Sequence, residues 1–85
     1  MGRLPVVSAK DLLKVFQKEG YRLVRQRGSH MVLQKRVSGT AITVVIPNHK
    51  EIATGTLRSI LKKANWTPDR LMKLLSVLAI VIRFQ

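Results

Sequence analysis

Between Ser8 and Gly20 the apolar residues Leu12, Leu13 and Phe16, with Val15 beside them, recur at helical spacing. Ser8 is followed three residues on by Asp11, an acidic form of the capping box, and Gly20 stands where a glycine closes a helix. The pattern predicts a helix from about Ala9 to Glu19. Next, YRLVRQR mixes β-branched and aromatic residues with arginine, as a half-exposed strand does. HMVLQKR, after Gly28-Ser29, predicts a second strand. AITVVIP predicts a third, with Ile42, Val44 and Ile46 on one face. The short Ser38-Gly39 link makes the second and third strands an antiparallel hairpin, and Pro47 ends the last one.

A loop, NHKEIATGT, leads to a second helix for which Thr54 or Thr56 can serve as cap. Leu57, Ile60, Leu61 and Ala64 share one of its faces. Asn65-Trp66 breaks it, and Thr67-Pro68 starts a third helix with proline at its favoured first position. From Leu71 the chain is apolar nearly all round, which leaves the end and the packing of this helix open. Helices on one face of an antiparallel sheet make an α+β, two-layer domain, helix–three strands–helix, with an additional C-terminal helix or apolar tail. We expect a single domain over 1–85, its core about 8–65 and the extension about 67–85. No repeat, low-complexity tract or linker divides it.

Eighty-five residues lie near the lower end of what folds without staples, and there is no cysteine to supply one. An apolar fraction of 46% is enough for a small core. The chain has no apolar N-terminal run of signal-peptide length, and the run LLSVLAIVI falls short of the roughly 20 residues that span a bilayer. A cytoplasmic setting, with no membrane role, is the expectation. Charge changes the picture most. Sixteen Lys and Arg against four Asp and Glu give a net charge of +12, a field that attracts polyanions, nucleic acid first among them.

Within that field, Gly28, Ser29 and His30 follow one another at the head of a strand. A turn explains the glycine and the serine but does not require the histidine. His30 reads either as a strand residue bonded to a nearby loop or as a proton-transfer group. Gly28 permits close approach of backbone and ligand. Ser29 adds a donor and acceptor, and Arg25, Arg27, Lys35 and Arg36 add cations in sequence. RNA carries its own nucleophile, the 2′-hydroxyl, and an imidazole with a reference pKa of about 6.5 can accept that proton or protonate the leaving 5′-oxygen. Arginine or lysine would stabilise charge building on the phosphoryl oxygens. The only acids, Asp11, Glu19, Glu51 and Asp69, are scattered, so neither a metal site nor a cofactor is expected.

His49, beside Lys50, reads as a turn or binding residue, with a second catalytic role if the fold brings it to His30. Ser29 is poorly placed as a nucleophile, because adjacent strand residues point to opposite faces. The glycines form no phosphate-cradling loop. Tyr21 and Trp66 could stack on bases but read as core. Arg58, Lys62 and Lys63 suit either a solvated helix face or phosphate contacts.

GYRLVRQRGSHMVLQ followed by VVIPNHKEIATGTLRSILKKANW resembles the HicA family of toxin mRNA interferases, small basic partners in bacterial and archaeal HicAB toxin–antitoxin pairs. The resemblance covers roughly Ser8 to Leu75. It is carried by Gly20-Tyr21, by Gly28-Ser29-His30, by Pro47-Asn48-His49, and by Gly55-Thr56-Leu57-Arg58-Ser59-Ile60-Leu61. It implies a fold similar to the double-stranded RNA-binding domain. It also implies a ribonuclease that cleaves mRNA with His30 as its catalytic histidine, and silencing by a HicB-type antitoxin that covers the active surface. With no metal site expected from the scattered acids, the leading expectation is a metal-independent endoribonuclease. Family members usually end soon after the second helix, so the apolar extension departs from the pattern and leaves oligomeric state open. It could lie over the core or pair two protomers. Beside the ribonuclease stand two other functions: a non-catalytic double-stranded-RNA-type binding module, and an interaction or membrane-surface subunit working through the tail.

Overall fold

Ser8 starts the first helix as its sequence predicts. Its hydroxyl accepts the Asp11 amide at 3.1 Å and caps α1 (Ala9–Lys18), while Asp11 places a negative charge in the first turn. The helix closes at Gly20, whose φ of +95° suits a residue without Cβ. There the Tyr21 amide reaches back to the Phe16 carbonyl and the Gly20 amide to that of Gln17. This double bond pattern is accompanied by an apolar contact, the Tyr21 ring standing edge-on to Phe16 at 4.8 Å.

The structure, a computed structural model, describes residues 4–83. After α1 come β1 (Arg22–Arg27), β2 (His30–Val37), β3 (Thr40–Pro47), α2 (Thr54–Ala64) and α3 (Pro68–Arg83). The strands form one antiparallel sheet in the order β1-β2-β3. Ser38 and Gly39, both at positive φ, make the tight link between β2 and β3 that their short spacing predicts. The predicted α+β layout is therefore present.

Met31 and Leu33 from β2, and Val44 and Ile46 from β3, bury one face of the sheet against the helices. Leu12, Val15 and Phe16 of α1 and Leu57, Ile60 and Leu61 of α2 meet them. Phe16 is fully buried and stacks on Trp66 with centroids 4.2 Å apart, so Trp66 and Tyr21 are core residues and not surface platforms. Truncating a ring buried this way costs about 3–5 kcal/mol. Burial also raises the pKa of the Tyr21 phenol above its ordinary value, an effect that the Arg70 charge partly offsets.

One detail differs from expectation. Neither Thr54 nor Thr56 caps α2: Ala53 is the N-cap, with no side-chain bond, and both threonines lie inside the first turn. The loop ahead of the helix is fixed elsewhere, its Ile52 amide bonded to the Val7 carbonyl and its His49 carbonyl accepting from Ala9, each at 2.9 Å. Those long-range bonds set where the chain can begin to coil. The C-terminal extension forms the helix that Thr67-Pro68 predicts, and the structure supplies the packing that the sequence left open. Thr67 caps α3 by accepting the Arg70 amide, and Leu71 and Leu78 are buried while Leu74 and Leu75 pack against the core. Arg70 also pairs with Glu19 at 2.8 Å, joining the start of α3 to the end of α1. With both side chains partly exposed, that pair contributes no more than about 1 kcal/mol. Leucine burial holds α3 in place. The end of the predicted tail, Phe84 and Gln85, lies outside the described residues.

Candidate active site

The sheet face turned away from the helices is uncovered, and its composition follows from strand register. Directly opposed residues project to the same side. Arg27 pairs with His30 and His30 with Pro47, Arg25 with Val32 and Val32 with Val45, Arg22 with Gln34 and Gln34 with Thr43. Met31 and Leu33 point into the core, so His30, Val32, Gln34 and Arg36 point outward. Arginines thus line the β1 side of this face, with an exposed imidazole across from the last of them. None of the four acidic residues lies on a strand.

His30 owes its place to the turn before it. Gly28 has φ +54° and Ser29 does not have positive φ, the sign pattern of a type II′ hairpin with glycine at its first central position. This two-residue reversal makes Arg27 and His30 direct neighbours across the ladder. A Cβ placed on Gly28 would meet no atom within 4 Å, so the position is open to solvent as well as conformationally special.

The other histidine arrives at the same end of the sheet. The Asn48 amide donates to the Ser29 carbonyl, tying the chain after β3 to the hairpin turn. The His49 amide donates to the Pro47 carbonyl at 2.9 Å, a three-residue reversal. His49 is exposed and lines a recess of about 470 Å³ with Ser8, Lys10, Asn48 and Lys50. The structure therefore brings together Arg25, Arg27, Gly28, Ser29 and His30 on the sheet face and its turn, with His49 and Lys50 at the adjoining edge, whereas Arg36 shares the face but lies at the far end of β2, opposite Ala41.

The remaining predicted contacts lie elsewhere. Lys35 projects toward the helices, half-buried, its ammonium 5.9 Å from the Tyr21 ring centroid. Arg58 and Lys62 line a recess of about 540 Å³ beside Leu61, Trp66 and Pro68, and Lys63 borders a groove with Thr43 and Val45. These three cations belong to the helical layer. Sequence reasoning passed over Arg22 and Lys10. Arg22 reaches the outward face because Val24 is an extra residue in β1, a bulge that shifts the register between Leu23 and Arg25. Strict alternation would have sent Arg22 to the opposite side from Arg25.

Chemically, this surface can hold a chain-like polyanion along the arginines and offer it an imidazole at one end. Among the described residues no three of His, Asp and Glu gather as a metal-holding group, and no helix is long and apolar enough to cross a membrane. A family model described as the HicA toxin of bacterial toxin–antitoxin pairs matches residues 9–66 of the chain. Comparison with curated proteins and with solved structures gives no match.

Proposed function

The chain belongs to the HicA toxin family of toxin–antitoxin systems, and from that premise we propose that it is a metal-independent endoribonuclease acting on single-stranded mRNA. His30 accepts the proton of the 2′-hydroxyl as that oxygen attacks the adjacent phosphorus. The 5′-oxygen leaves, giving a 2′,3′-cyclic phosphate and a free 5′-hydroxyl. Arg27, directly across the ladder from His30, and Arg25 beyond it stabilise the charge that develops on the phosphoryl oxygens. The glycine and serine that precede the histidine act as the turn that sets it opposite Arg27.

One observation carries the reading: His30 is exposed on an acid-free sheet face, in register with an arginine. A histidine serving only the core would be buried. The antitoxin partner is of HicB type and covers this face. A net charge of +12 favours an acidic or neutral surface on that partner, so inhibition is partly electrostatic.

The test uses purified protein, a single-stranded RNA and excess chelator. His30→Ala is expected to lower the cleavage rate by about 10²–10⁴-fold, with RNA binding and the unfolding curve close to wild type. Cleavage at the wild-type rate by that variant removes His30 from the chemistry. RNA bound but never cut by the wild-type protein leaves a binding module instead.

A further inference from the structure

Departure of a 5′-alkoxide needs a proton, and His30 has none to give at that moment because it is taking one up. Few groups near it can donate. Lysine, with a reference pKa of about 10.4, and arginine, higher still, are weak proton donors at neutral pH, and a carboxylic acid near 4.3 is already ionised there. The Tyr21 phenol is buried in the other layer. By chemistry the choice narrows to the second histidine.

Geometry brings that residue within range. His30 pairs with Pro47 in the antiparallel ladder, a Cα separation of about 5 Å, and His49 is two residues further on, at most about 7 Å. The two Cα atoms therefore lie within about 12 Å, and both side chains are exposed. Imidazoles reaching inward from such a separation can flank one phosphodiester. The His49 backbone is also held: its amide bonds Pro47, its carbonyl accepts from Ala9 at the start of α1, and the preceding Asn48 amide bonds Ser29. A general acid benefits from this kind of anchoring, because its catalytic effect falls off with small displacements.

We propose that His49 is the general acid of the same reaction, donating its imidazolium proton to the leaving 5′-oxygen while His30 serves as base. This rests on the ribonuclease reading above. In the step, the 2′-O–H proton passes to His30, the 2′-oxygen–phosphorus bond forms, and the phosphorus–5′-oxygen bond breaks. The departing oxygen takes the His49 proton, leaving His30 charged and His49 neutral, and exchange with water restores both.

A change of leaving group separates this role from simple phosphate binding. In an RNA oligonucleotide whose cleaved bond has been mapped with the wild-type protein, the bridging 5′-oxygen is replaced by sulfur. A thiol has a reference pKa of about 8.5, so the thiolate departs without a proton. Single-turnover cleavage of the oxygen and sulfur substrates is measured for wild type, His30→Ala, His49→Gln and His49→Asn, with urea unfolding followed through Trp66 to show that each variant is folded. Both His49 variants are expected to lose about 10²–10⁴-fold on the oxygen substrate and to cleave the sulfur one near the wild-type rate. His30→Ala is expected to lose both. Equal losses by the His49 variants on the two substrates, or no loss on either, overturn the assignment. If His30→Ala keeps wild-type activity on both, His30 is not the base and the acid–base pairing fails with it; if the wild-type protein cuts neither substrate, the failure lies with the ribonuclease reading itself.

Discussion

Replacing Gly28 with alanine separates two uses of a glycine at this turn, backbone conformation and room for a neighbour. The residue has φ +54°, where an L side chain is disfavoured by about 1–2 kcal/mol. Alanine also restricts the unfolded chain, returning about 0.4–1 kcal/mol. No steric cost adds to these, since a Cβ there meets nothing within 4 Å. The expected net loss is about 1 kcal/mol. With a urea m-value near 1 kcal/mol/M for a chain of this size, the unfolding midpoint falls by about 1 M. The chain's one tryptophan, stacked on Phe16 in the core, supplies the fluorescence signal. Asparagine's tolerance of the left-handed helical region does not extend to the first central position of a type II′ turn, so Gly28→Asn is expected to lose about as much as alanine. A midpoint that either substitution leaves unchanged or raises refutes the conformational account.

Two further outcomes follow from the placement of charge and burial. Arg25→Ala and Arg27→Ala are each expected to reduce the slope of log affinity for single-stranded RNA against log salt by about 0.7, whereas Arg58→Ala on the helical layer leaves it unchanged. A slope that responds equally to all three places RNA on both layers. Tyr21→Phe tests the raised phenol pKa. The native state holds that proton more tightly than the unfolded chain, so its stabilising contribution is complete below the ordinary value of 10.0 and is lost as pH rises through the higher native value. Stability measured across the alkaline range should therefore decline more steeply in wild type than in the variant, and parallel curves contradict the burial effect.

The local chemistry of this chain was easy to read, and its long-range geometry was not. Ser8, Asp11 and Gly20 define α1 from within a few residues of each other, as Ser38 and Gly39 define the second hairpin, because capping and turn formation act at short range. The α2 cap failed for the opposite reason: bonds from Val7 and Ala9 to the loop decide where the helix begins, and no local pattern encodes them. The same division holds at the site. Alternation along β2 already separates His30 and Arg36 from Lys35, a signal present in the sequence but not applied to the candidate contacts. The bulge at Val24, which recruits Arg22, gave no such signal. Nor did the return of His49 to the hairpin turn, which depends on how β3 pairs with β2.

The exposed first strand carries one more implication. Its outer side has no partner among the described residues, and an unpaired strand is a template on which another chain can add, the usual beginning of edge-to-edge aggregation. A second copy approaching β1 would bring Arg22, Arg25 and Arg27 against their own like charges, over a ladder already interrupted by the extra residue. The guanidinium row thereby acts as a guard for the fold, keeping a crowded population of this toxin from self-templating whether or not any RNA is at hand.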